Sequence, residues 1–141
     1  MSKLDELLKE IESNPRDQRL HQKLGELHQK RGDSGQAARA FKRVAELYAD
    51  DGFFLRAVAL AKQVLKLDPK LIEAEVLLAE WHHALQLTGE AREHLILALR
   101  ALNAEGRTAE ARVLEARFAA AGLSRLPSTD EVFLASPKAR A

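Results

Sequence analysis

Five histidines are the residues in this chain best suited to bind a metal or move a proton near neutral pH. His21 and His28 lie seven apart, which puts them on one face of a helix, and His82 and His83 are adjacent. A metal site needs more than that: ligands converging at i, i+4 spacing or from several elements, with further groups to orient them. The sequence has no H-E-x-x-H motif and no Asp/Glu/His cluster of that kind, so the histidines read as packing residues and no metal is expected. Nucleophilic and phosphate chemistry find no better footing. There is no cysteine, no G-x-S-x-G turn and no glycine-rich phosphate loop. The many carboxylates stand three or four residues from Lys or Arg, as Glu110 does from Arg107, and read as solvated faces. No enzymatic activity and no cofactor are expected.

What does stand out is where the charge lies. Between positions 16 and 48 there are eight Lys/Arg against four Asp/Glu, whereas between 72 and 94 five Glu face one Arg. Over the whole 141 residues these nearly cancel, to +1, which argues against general binding to nucleic acid or to membrane surfaces. The longest run without an acidic or basic residue spans 81–89, far short of the ~20 residues of a membrane span. The N-terminus, MSKLDELLKEIESNP, is charged and periodic rather than basic and then apolar, unlike a secretory signal. The expectation is a cytoplasmic protein with no membrane insertion.

The elements that carry these residues are helices. A composition with 46% hydrophobic and only 5% aromatic residues, dominated by Leu, Ala, Glu, Lys and Arg, favours them. Breaker signals at Asn14-Pro15, Gly32-Asp33, Asp50-Asp51-Gly52, Asp68-Pro69, Thr88-Gly89, Glu105-Gly106 and Gly122 divide the chain. Seven segments between them, 2–13, 16–31, 34–49, 53–67, 70–87, 89–103 and 107–121, carry apolar residues at helical spacing. None alternates with period two, so no strand is expected. Connections this short predict antiparallel neighbours, hence consecutive helical hairpins. Residues 123–141 differ in composition, with two prolines and scattered Ser and Thr, and read as a flexible tail. The tail contains one short apolar cluster, Val132-Phe133-Leu134.

An internal period of 34 residues relates 38–71 to 72–105. Val44-Ala45 superposes on Leu78-Ala79, Tyr48 on His82, Ala57 on Ala91, and Val64-Leu65 on Ala98-Leu99. Small residues recur where helix backbones must cross closely, and larger ones fill the space between crossings. With Phe41, Gly52 and Pro69, this pattern resembles the tetratricopeptide repeat. A second frame, 18–51, fits as well through Leu24-Gly25, Gly32, Ala37 and Phe41. The second unit departs from the family pattern: Glu75 replaces a large aromatic, Gln86 the turn glycine and Asn103 the terminal proline. The resemblance covers roughly 16–121. Stretches such as YADDGFFLRAVALAKQVLKLDP are also similar to bacterial tetratricopeptide modules, common in social and predatory soil bacteria and often attached to signalling domains.

The resemblance implies an all-α, right-handed solenoid of antiparallel hairpins over residues 1–122, with 1–14 a capping helix and 15–122 the repeats. It implies a protein–protein interaction scaffold or adaptor that binds a partner peptide or helix on its concave face. The groove positions of the family fall here on Arg39, Lys42, Glu46 and Ala49, then Glu73, Val76, Glu80 and His83, with Arg43 beside them. That predicts a groove basic at one end and acidic at the other. Family members that grip a C-terminal carboxylate use Lys followed by two Asn; Lys42 matches, but Glu46 and Leu77 occupy the Asn positions, so this activity is not expected. An alternative is a self-associating or regulatory module, with Val132-Phe133-Leu134 lying in the groove of its own chain or of a second copy.

Overall fold

Short polar side chains just ahead of apolar-periodic runs start the first three helices of the computed structural model, which describes residues 2–126. Ser2 opens α1 (Lys3–Ser13) with a reciprocal cap: its hydroxyl accepts from the Asp5 amide at 3.1 Å, while the Asp5 carboxylate accepts from the Ser2 amide. Asp17 opens α2 (Gln18–Lys30) and Asp33 opens α3 (Ser34–Asp50), each accepting a backbone N–H of the first turn. The remaining helices are α4 (Phe54–Leu67), α5 (Ile72–Ala84), α6 (Thr88–Ala104) and α7 (Thr108–Ala120). The described residues are therefore all-α, with seven helices and no strand.

Helices α4 to α7 start without side-chain caps. Four of the six connections are three residues long, and each begins with a Schellman turn. In each, the N–H two residues past the helix cap reaches back to a carbonyl five residues earlier: Asp33 to His28, Phe53 to Tyr48, Leu87 to His82 and Arg107 to Leu102. Such a turn needs one residue in the left-handed region. Gly32, Gly52 and Gly106 supply it without strain, but in the α5–α6 turn it falls to Gln86, at φ 62°. The other two connections use Asn14-Pro15 and Asp68-Pro69 instead. There Pro ends the helix, and the Asp68 carboxylate accepts from the Lys70 amide at 3.2 Å. That turn shortens the fifth segment at its front, so α5 begins at Ile72 rather than at position 70.

Each helix packs on its neighbours in sequence, from α1 on α2 through to α6 on α7. Alanine marks the crossings. Ala37, Ala38, Ala45, Ala57, Ala74, Ala79, Ala91 and Ala98 are fully buried, and Leu47, Val64, Leu78 and Leu95 fill the space beside them. Trp81 is buried with Leu78, Ala57 and Ala61 where α3, α4 and α5 meet. The greasy run GFFLRAVALA is spent in the same way: Ala57, Val58 and Ala61 go inside and Leu55 stays out. Glycine takes alanine's place where α2 meets Phe41 of α3. A Cβ on Gly25 would lie 2.5 Å from the Phe41 ring.

No helix is long and apolar enough to cross a membrane among the described residues. The Val132-Phe133-Leu134 cluster lies outside the described residues.

Two substitutions test these packing and turn constraints. Gln86→Gly relieves a left-handed side-chain residue, a conformation that costs roughly 1–2 kcal/mol, and loses part of that gain to the freer unfolded chain. It should raise unfolding free energy in urea by about 0.5–1 kcal/mol. Gly25→Ala should do the opposite despite alanine's better helix propensity. The added methyl overlaps Phe41, and overpacking of this kind costs about 1–3 kcal/mol.

Candidate functional site

The odd-numbered helices α3, α5 and α7 together wall an open groove of about 590 Å³. Lys42 and Glu46 come from α3, Glu73, Val76 and Leu77 from α5, and Ala109, Glu110, Val113 and Arg117 from α7. The floor is apolar, formed by Ile72, Val76, Leu77, Leu102 and Leu114, and charged groups stand around it. Val113 lines it while remaining 70% exposed.

Four of the residues expected at such a site, Lys42, Glu46, Glu73 and Val76, are brought together here. Glu80 stands one helical turn beyond Val76 and reaches the groove through Arg117, whose Nη2 donates to Glu80 Oε1 at 2.7 Å. His83 continues the same stripe and ties α5 to the end of α7, its Nε2–H donating to the Ala121 carbonyl at 2.9 Å. Its Nδ1 is buried with no hydrogen-bond partner among the described residues. Arg39 and Arg43 do not line the groove; Arg39 is exposed and Arg43 half-buried beside Lys42.

The α7 wall was missing from the sequence reading, although the signal was present. Extending the 34-residue period by one more unit carries Glu73, Val76, Glu80 and His83 onto Arg107, Glu110, Leu114 and Arg117, and all four line the groove. Arg107 and Glu110 thus do more than decorate a solvated face. Arg107 donates through Nε and Nη2 to the two oxygens of Glu110, at 3.1 and 2.7 Å, and through Nη1 to Glu105 at 2.9 Å. These bonds hold the Glu110 carboxyl below the usual carboxylate range and raise Arg107 further still.

The α7 cations also alter the electrostatics expected of the groove. With Arg39 and Arg43 off the groove, α3 contributes one cation and one anion, Lys42 and Glu46, α5 contributes Glu73, and Arg107, Glu110 and Arg117 follow, so the charges do not separate to two ends. Most are already paired: Lys42 Nζ lies 3.7 Å from Glu46, and Arg117 and Arg107 hold Glu80 and Glu110. Glu73 has no ion-pair partner among the described residues. Burial raises Glu80 above the ordinary carboxylate value, partly opposed by Arg117 and reinforced by the nearby Glu46.

No group of three or more His, Asp or Glu side chains that could hold a metal ion occurs among the described residues. His21 is buried, with Nε2–H donating to the Pro15 carbonyl at 2.7 Å. His82 is buried too, donating through Nδ1 to Leu78 O, and its ring stacks on His94 with centroids 5.2 Å apart. His94 Nδ1 in turn meets Glu75 Oε2 at 2.7 Å. That pair explains the charged residue where a large aromatic was expected: Glu75 is satisfied by a histidine nineteen positions away, on the next helix. No family model matches the chain, and no curated protein matches it.

The His82 environment gives a pH dependence with a definite sign. Burial lowers its pKa from the ordinary 6.5, and His94 and Lys62 push the same way against the bond to Leu78 O. The unfolded chain therefore binds the proton more readily, and the stability due to neutral His82 is present above pH 6.5 and lost as pH falls below it. Glu80 has the opposite sign at lower pH, since its folded form holds a proton longer. Urea unfolding measured between pH 7.5 and 5.5 should show stability falling with acid, and His82→Phe should flatten that slope.

Proposed function

We propose that this chain is a non-enzymatic, cytoplasmic interaction scaffold: a right-handed solenoid of tetratricopeptide-like hairpins that binds a peptide or helix of another protein in the groove between α3, α5 and α7. The observation that carries this reading is the apolar strip of Val76, Leu77, Ala109 and Val113, contributed by alternate helices and flanked by charged residues. An amphipathic segment could bury apolar side chains along that strip while its polar edge meets the ring of charges. Two features support the architecture. Packing runs from each helix to the next in sequence, and Glu80–Arg117 and His83–Ala121 tie α5 to α7 at matching heights. Because most groove charges are paired with one another, the expected selectivity comes chiefly from shape and apolar contact, with Glu73 open to a cationic group.

The test uses two exposed aliphatic residues, one inside the groove and one outside. Val113→Glu should reduce capture of the partner from the source cell at least tenfold, equivalent to about 1.4 kcal/mol. Leu55→Glu, 71% exposed on α4 and outside the groove, should leave capture unchanged. Equal loss in both variants, or in neither, removes the groove from the reading.

A further inference from the structure

Carboxylates around the groove outnumber the cations. Its lining carries Lys42, Arg107 and Arg117 against Glu46, Glu73 and Glu110. All three cations are engaged: Lys42 lies 3.7 Å from Glu46, Arg117 donates to Glu80 at 2.7 Å, and Arg107 is shared between Glu105 and Glu110. With Glu80 and Glu105 included through the arginines that hold them, three cations stand against five carboxylates. An anion arriving here meets a net negative rim whose cations are already taken. A cation meets Glu73, exposed in the first turn of α5 and without an ion-pair partner among the described residues.

The state of Glu80 points the same way. Burial lifts its carboxyl above the usual carboxylate range, Arg117 opposes this only in part, and Glu46 adds to the rise. The carboxylate of α3 therefore acts on that of α5 although each has a cation beside it. Arg39 and Arg43, which have no ion-pair partner among the described residues, do not line the groove and leave its balance unchanged.

The spacing on α5 gives the partner a form. Glu73, Val76, Leu77 and Glu80 stand at i, i+3, i+4 and i+7, an apolar pair between two carboxylates on one stripe. Arg117 occupies Glu80, so the open charge lies at the Glu73 end, about one helical turn from the apolar pair. A helix laid along α5 repeats at the same pitch of about 5.4 Å, and so keeps a cation opposite Glu73 while its apolar side chains meet Val76, Leu77 and Val113. We propose that the groove takes an amphipathic helix of another protein that carries Lys or Arg one turn from its apolar stripe, with that cation seated on Glu73. The assignment rests on the groove being the binding surface and adds the charge and the orientation of what it binds. Apolar contact supplies most of the affinity; the pairing with Glu73 decides which segments are accepted and which end lies over the start of α5.

The experiment presents the full chain with a displayed library of amphipathic helices, in which the residues one turn before and one turn after the apolar stripe vary among Lys, Arg, Gln and Glu. Selected helices should carry Lys or Arg at one of these positions and bind about three- to tenfold more tightly than their Glu counterparts. Glu73→Gln, which keeps the size of the side chain, should erase that preference, and Glu73→Lys should reverse it. Val113→Glu should weaken every selected helix at least tenfold. Helices that depend on Val113 but show no preference for Lys or Arg, or a preference that survives Glu73→Gln, overturn the cation assignment and leave the groove standing. Helices that bind the Val113→Glu variant as well as wild type, or a library from which nothing is selected, overturn both.

Discussion

Close approach of neighbouring helices is the constraint on which the rest of this molecule depends. Twelve of the buried core residues are alanine, and those at the crossings expose almost nothing to solvent. An alanine buries little apolar surface of its own, but it lets two backbones come near enough for Leu47, Leu78 and Leu95 to interlock. Most packing runs from each helix to the next in sequence, and Glu80–Arg117 and His83–Ala121 add ties from α5 to the end of α7. The groove is a product of that order. Turns three or four residues long reverse the chain after each helix, and α3, α5 and α7 then come to share one surface.

Polar groups within this packing are satisfied across helices, and they refine the geometry. Glu75 and His94 form a half-buried pair, with His82 stacked behind. A carboxylate left without a partner there would be costly, so the pair acts as a register mark between α5 and α6. Around the groove the ion pairs are mostly exposed, and pairs of that kind contribute about 0–1 kcal/mol each. Their effect is local: Arg107 and Arg117 hold the carboxylates of Glu110 and Glu80 in place, and the apolar strip between them stays uncovered.

Helix α7 lines two separate cavities. One of its faces completes the groove with Val113 and Arg117; the other walls a cleft with Ala111, Arg112 and Ala116.

Much of the architecture was legible in the residues. Period and breaker positions placed seven helices to within two or three residues, because the apolar stripe and the Gly or Pro that ends it are local properties of the chain. Lys42, Glu46, Glu73 and Val76 were singled out by the resemblance to the tetratricopeptide repeat, whose groove positions fall on them. The sequence did not reveal which long-range partner each side chain would take. Gln86 in a left-handed turn, Glu75 on His94, Arg117 on Glu80 and Arg39 turned away from the groove are outcomes of how one helix rotates against another. That rotation is set by the summed packing of several helices, and no local pattern encodes it. The sequence alone determined an all-helical chain of short-linked segments; tertiary structure decided which of their faces meet, and so where a groove and a cleft could exist.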